Sequence, residues 1–205
     1  MICVLDYGIG NVAAFVSIFE RHGLPVVRAQ TVDDLCGAER IILPGVGTFD
    51  RAMTQFNASG MREKVDDLVN RKNVPLLGVC IGMQMLACQS EEGHFPGLGW
   101  IPGIVRRIVV RSDARRLPHM GWNEVREIHP GPLMQNINPL ELYFLHSYIF
   151  EPDDYEYVDA VVNYGTDLPC MISQKNIYGV QFHPEKSHSA GVKMLLNFAS
   201  ERLPC

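Results

Sequence analysis

"PLLGVCIGMQML", residues 75 to 86, decides the fold. An apolar run of strand length enters Gly78, Cys80 comes two residues later, Gly82 two after that, and an apolar pattern with helical spacing then resumes. This predicts a strand that turns sharply into a helix with cysteine at the apex. Small residues on both sides keep the strained backbone there clear of its neighbours.

The stretch upstream supports the same picture. "MICVLDYG" reads as a buried strand running into a loop, and Val12, Phe15, Val16 and Phe19 then keep helical spacing until His22 and Gly23. "LPVVR" and "RIILPGVG" read as two more strands, and residues 59–72 as a polar helix leading to "VPLLGVC". Strands alternating with helices predict an α/β fold with a parallel sheet covered on both faces.

Downstream of Cys88 the texture becomes β-rich. "IVRRIVV", "GWNEV", "LYFLHSYIF", "YVDAVVNYG", "PCMISQ" and "IYGVQF" are short runs separated by Pro, Gly and Asp. Val192, Leu195, Leu196, Ala199 and Leu203 define one face of a closing amphipathic helix. Without repeats or a linker, residues 1–205 read as a single domain. Its central sheet is mixed, mostly parallel, and flanked by helices.

Composition narrows the function classes. The chain has 205 residues, 47% hydrophobic and 20% charged, with a formal net charge of −5, which is ordinary globular composition. That acidic balance excludes a basic nucleic-acid face. The one basic group, Arg106, Arg107, Arg111, Arg115 and Arg116, reads as a solvated turn, with a phosphate or an acidic partner as the alternative. The longest apolar region, Val74 to Cys88, carries glycines and Gln84 and is too short for a membrane span. The N-terminus shows no signal-peptide pattern. Six cysteines lack close pairs or a framework spacing, so they fit a reducing cytoplasm, most of them as small buried hydrophobes.

Ligands of parallel sheets sit at the carboxyl ends of the strands, where "DYGIGN", "PGVGTF" and "GVCIGMQ" all fall. There the thiol of Cys80 would meet the N–H groups of the following helix, which favour a thiolate and can hold an oxyanion. "GVQFHPEKSH" supplies the matching base: His183 follows an apolar strand and Glu185 can orient its imidazole. Cysteine, histidine and carboxylate form the generalised nucleophilic triad. A metal site through His183, Glu185 and His188 is the rival reading, and its spacing matches no familiar zinc motif.

Gly-Val-Cys-Ile-Gly with Gln84 behind it, and His-Pro-Glu far downstream, resemble the class I (triad) glutamine amidotransferases. "DYGIGN", "LPGVGTF", "SEEG", "PHMGWN", "YFLHSY" and "GVQFHPEKS", in that order, are similar to the glutaminase subunits of imidazole glycerol phosphate synthase within that family. The resemblance spans nearly the whole chain. It implies the class I amidotransferase fold and hydrolysis of glutamine to glutamate and ammonia by Cys80, His183 and Glu185, with no cofactor and no metal.

The resemblance further implies an oxyanion hole from Ile81 and the loop Gly45, Val46 and Gly47, whose peptides can reorient. Gly47, Gln84, Glu92, His146, Ser147 and Tyr148 would bind the substrate. Asn11, Trp122 and Lys186 would meet a (β/α)₈-barrel cyclase subunit in a heterodimer. Ammonia would pass through that contact to make imidazole glycerol phosphate and aminoimidazole carboxamide ribotide in histidine biosynthesis. Departures from the family pattern at Ile81, Ile149, Phe150 and residues 103–117 leave room for a paralogue feeding ammonia to a related barrel acting on a sugar in surface-polysaccharide synthesis. A non-catalytic amidotransferase-like binding module is a separate alternative, against which the intact Cys80, His183 and Glu185 argue.

Overall fold

The opening apolar run forms β1 (Ile2–Leu5), buried along its whole length. This is the first strand of a computed structural model that describes residues 1–110 and 116–200. Arg111, Arg115, Leu203 and Cys205 lie outside the described residues. Helix α1 (Val12–Arg21) turns Val12, Phe15, Ile18 and Phe19 inward; three of these are expected, while Val16 is half-buried and Ile18 takes the fourth buried place. It carries the chain over to β2 (Val26–Ala29), which pairs parallel to β1.

Strand β3 (Arg40–Gly45) leads to α2 (Phe49–Ala58), an element the sequence reading misses. Its signal was present. Phe49, Ala52, Met53 and Phe56 stand at i, i+3, i+4 and i+7, and all are fully buried. The polar helix expected over residues 59–72 is shorter. It comprises α3 (Arg62–Asp66), continued by a π-helical stretch at Asp67–Arg71. Strand β4 (Leu76–Cys80) then ends in α4 (Ile81–Gln84), one turn long rather than an extended helix.

The β-rich half contains β5 (Gln89–Ser90), β6 (Gly103–Arg107), β7 (His119–Glu127), β8 (Glu141–His146), β9 (Tyr148–Pro152), β10 (Val158–Asn163), β11 (Asp167–Gln174) and β12 (Ile177–Val180). Helix α5 (His188–Ala199) closes the described chain. Its buried face is Gly191, Met194, Leu195 and Phe198, rotated from the expected one; only Leu195 is common to both.

Nine strands form one mixed sheet in the order β2-β1-β3-β4-β12-β11-β10-β7-β8, and β5-β6-β9 form a second sheet. In the large sheet parallel pairing joins β2, β1, β3, β4 and β12, whereas its remaining pairs are antiparallel. Five of its nine strands thus belong to the parallel part, which carries the Cys80 turn. "LYFLHSYIF" divides at Ser147, sending β8 into the large sheet and β9 into the small one. Two hydrogen bonds hold this break: Ile108 N–H donates to the Ser147 carbonyl at 3.0 Å, and His146 Nδ1 lies 2.8 Å from the Tyr148 carbonyl.

Candidate active site

Register places the chemistry. Strand β4 lies between β3 and β12, with Gly45 opposite Cys80 and Val180 opposite Val79. The residue after Val180 is Gln181, so Gly45, Cys80 and Gln181 come abreast where the parallel strands end. Ligands of such sheets gather at this edge.

Cys80 sits at φ 55° and ψ −112°, a conformation that L-residues rarely adopt. Its glycine neighbours have a specific reason. A Cβ on Gly82 would lie 1.9 Å from the Leu43 carbonyl oxygen of β3, and one on Gly78 would lie 2.6 Å from the Gly82 carbonyl oxygen. A Cβ on Gly45 would lie 2.4 Å from Gly82 N. Three glycines thus let β3, β4 and the turn close on one another.

His183 lies just beyond β12, its backbone N–H bonded to the Tyr143 carbonyl at 2.8 Å. Ser187 Oγ donates to the His183 carbonyl at 2.6 Å and accepts from Tyr143 N–H at 2.9 Å. With the backbone held, His183 Nδ1 lies 3.0 Å from Glu185 Oε1, both side chains being buried. Burial opposes charge on the imidazole, but hydrogen bonds to Cys80 and Glu185, and their charge, raise its pKa to about 10. His183 is therefore set to hold the proton that a nucleophilic sulfur gives up.

These groups open into a cavity of about 510 Å³. It is lined by Val46, Gly47, Cys80, Ile81, Gln84, Glu92, His146, Ser147, Tyr148, His183 and Lys186 among others. Every expected substrate residue is there. Gly45 and Glu185 stand behind the lining, one as the close-packing point against Gly82 and the other as the partner of His183. Arg107, expected in a solvated turn, also lines the cavity, with its guanidinium 6.0 Å from the Tyr148 ring centroid. Arg106 pairs instead with Glu91 and Glu151.

Glu92 and His146 are both held in place by hydrogen bonds. Glu92 Oε2 accepts from Phe49 N–H at 2.8 Å, and Asp50 in turn accepts from His94 and Phe95 N–H, so α2 and the Glu92 loop lock each other. Burial raises the Glu92 carboxyl above its ordinary range, against the Phe49 bond and helped by nearby Asp50. His146 Nδ1 meets the Tyr148 carbonyl, so its Nε2 is the acceptor facing His119 Nδ1 at 2.9 Å. Asn123 Nδ2 lies 2.7 Å from His119 Nε2 and completes a one-way chain of donors. Burial pushes the His146 pKa down to about 3, with neighbouring imidazoles adding and the Tyr148 bond opposing. His146 is a neutral strut.

An apolar strip continues outward from the cavity mouth. Met120 and Trp122 of β7 stand opposite Leu145 and Tyr143 of β8, and Met120, Trp122 and Leu145 are exposed. Trp122 stacks on His188 at 4.8 Å, and Lys186 Nζ lies 5.8 Å from the Tyr143 ring centroid. Asn11 heads α1, exposed and without a side-chain cap bond. The stacking places His188 on Trp122. Among the described residues, no group of three His, Cys, Asp or Glu side chains is arranged to hold a metal. Of the cysteines, Cys3, Cys80 and Cys170 are buried, whereas Cys36 and Cys88 are exposed.

Residues 3–201 match the family model for glutamine amidotransferase class-I. The chain belongs to the class-I glutamine amidotransferase family. As amidotransferase relatives, two chains named imidazole glycerol phosphate synthase subunit HisH are similar along almost their whole length. That of Bdellovibrio bacteriovorus is 49% identical, covering 97% of this chain and 99% of its own. That of Leptospira borgpetersenii is 47% identical, covering 98% and 100%. A solved structure described as a glutamine amidotransferase has the same fold, with a TM-score of 0.72 at 20% identity over 97% of this chain and 99% of its own. The turn quoted at the outset lies inside the matched residues, with Cys80 at its strained apex. Two further residues beside it, Gln181 against the Cys80 sulfur and Ser187 on the His183 backbone, carry no signal in the sequence reading although both lie inside "GVQFHPEKS".

Proposed function

We propose that this chain is the glutaminase subunit of an imidazole glycerol phosphate synthase, with residues 1–205 forming one amidotransferase domain. The observation that carries this reading is the meeting of Cys80 and His183 at one cavity, with Glu185 bonded to His183 behind its lining, in a chain 49% identical to a relative of that name. Cys80 Sγ attacks the side-chain amide carbon of glutamine, and the thiol proton resides on His183. His183 returns that proton to the departing nitrogen, so ammonia leaves and a glutamyl thioester remains. Water, deprotonated by His183, then releases glutamate and restores the thiol. Glu185 orients the imidazole and stabilises its charge.

Glu92 suits the substrate ammonium, while Gln84 and the residues His146, Ser147 and Tyr148 frame the rest of the amino acid. Oxyanion donors come from Ile81 and the Gly45, Val46 and Gly47 loop. Gly45 packs against Gly82 N, whereas Gly47 has φ +92° and open space around it. Reorientation is therefore confined to the Val46–Gly47 end. Free of its partner the subunit is a poor glutaminase; a (β/α)₈-barrel cyclase docked on Asn11, Trp122 and Lys186 as a heterodimer favours the active loop. Ammonia then crosses the contact to the nucleotide substrate. A cytoplasmic setting accords with five unpaired cysteines among the described residues.

The test is glutamate release by the chain alone, with its barrel partner, and with partner plus the partner's nucleotide substrate. A stepwise rise is expected. Equal rates would refute the coupling, and stimulation by a barrel acting on a sugar would reassign the acceptor.

A further inference from the structure

We propose that Gln181 is a further catalytic residue, whose side-chain amide is locked with its N–H group toward Cys80 Sγ and stabilises the thiolate alongside His183. The inference rests on Cys80 being the nucleophile and adds a group that the triad does not contain. Gln181 is fully buried, and its Nε2 lies 3.7 Å from Cys80 Sγ, within reach for a donor to sulfur.

A buried amide beside sulfur could in principle present either end, and the two ends have opposite consequences. A carbonyl oxygen would repel a thiolate; an N–H stabilises it. Here the choice is made by neighbours. The Tyr148 carbonyl can only accept, so Gln84, 3.1 Å away, must direct its Nε2 there. The second proton of that same nitrogen points to Gln181, whose facing atom 2.9 Å away must therefore be Oε1. With its oxygen taken, Gln181 has only N–H groups left to offer Cys80. His146 Nδ1, 2.8 Å from the same Tyr148 carbonyl, is a second donor on the anchor. The start of β9 thus sets the polarity of an amide relay ending on the reacting sulfur.

The relay has a distinct signature. A donor to sulfur matters when sulfur is charged, before attack and as the thioester expels it, and it enlarges the thiolate fraction while slightly tempering nucleophilicity. Its removal should therefore slow reaction on the acid side and leave the alkaline plateau nearly unchanged. A merely structural role would lower the rate at every pH.

The experiment follows alkylation of Cys80 in the full chain by iodoacetamide between pH 5 and 10. Peptide mass spectrometry resolves each cysteine, and circular dichroism confirms folding. Gln181→Leu should move the acid limb upward by about one pH unit, a roughly tenfold slower reaction below the limb. Gln181→Glu, nearly the same shape but anionic, should move it further. Should the leucine variant fail to fold, the glutamate variant decides. Profiles superimposable on wild type, or a loss uniform with pH, would overturn the inference alone, provided wild-type Cys80 outreacts the exposed Cys36 and Cys88. Equal reactivity of all three in the wild type would instead remove the nucleophile assignment, and the inference with it.

Discussion

Replacing Gly82 with alanine should injure both stability and turnover, through backbone rather than side-chain contacts. The new Cβ would lie 1.9 Å from the Leu43 carbonyl oxygen and 2.9 Å from its carbon, whereas ordinary contact begins near 3.4 Å. Strand β3 and the elbow must then separate by roughly 1.5 Å, and neither has slack, since Leu43 pairs with Gly78 in the fully buried middle of the sheet. Overpacking typically costs about 1–3 kcal/mol; two backbone segments in collision place this variant at about 3 kcal/mol or more. Leu43 also leads directly into the Gly45–Gly47 loop, and a displacement of about 1 Å at a reacting site can cost roughly a hundredfold in rate. Gly47→Ala is the contrast, because open space surrounds it and only its left-handed backbone resists, at about 1–2 kcal/mol. Denaturant unfolding followed by circular dichroism measures the first effect and glutamate release the second. A Gly82→Ala protein within 1 kcal/mol of wild type and fully active would refute the close-approach explanation.

Three further outcomes are expected. Cys80→Ala should fold but hydrolyse no glutamine, and a glutamine-analogue electrophile should label Cys80 in the wild type while sparing Cys36 and Cys88, as read by peptide mass spectrometry. Trp122→Ala should weaken capture of the barrel partner by roughly thirtyfold in calorimetry, in line with about 2 kcal/mol for an aromatic anchor, while leaving the unfolding midpoint of the free chain little changed. Burial raises the Asp159 carboxyl to about 6, against the Ser173 hydrogen bond and the His129 charge and with Glu127 adding to the rise. A raised native pKa means stability present below about pH 4 and lost as pH climbs through 6. Asp159→Asn should therefore gain about 1–3 kcal/mol over wild type at pH 7, a gain that shrinks toward pH 4 in urea titrations.

The sequence was most legible where a local pattern and a chemical demand coincide. The Gly78, Cys80 and Gly82 spacing announced the elbow because a strained turn tolerates few other residues, and His183 with Glu185 was readable because only two positions separate them. Helix α2 is hard to see in the sequence because its four apolar positions are spread among polar residues directly after a glycine loop. The α5 face was misassigned because Met194 and Phe198 lie one position from residues equally apolar, and periodicity alone cannot choose between adjacent stripes. The division of "LYFLHSYIF" has a different cause. Its side chains suit one long strand, and only the tertiary partners of the Ser147 and Tyr148 carbonyls end it.

Gln181 shows the boundary most clearly. A polar residue between Val180 and Phe182, in a run otherwise fit for the core, was a flag in its own right, since buried polar side chains demand a partner. What that partner is depends on register: Val79 beside Val180 in parallel strands, hence Cys80 beside Gln181, a relation between positions 101 residues apart. The polarity of the contact then depends on a carbonyl in another sheet. A strand motif can therefore reveal that an amide is buried near the chemistry, but whether it presents oxygen or N–H to the sulfur is decided by Tyr148, through Gln84, and is written nowhere in the motif itself.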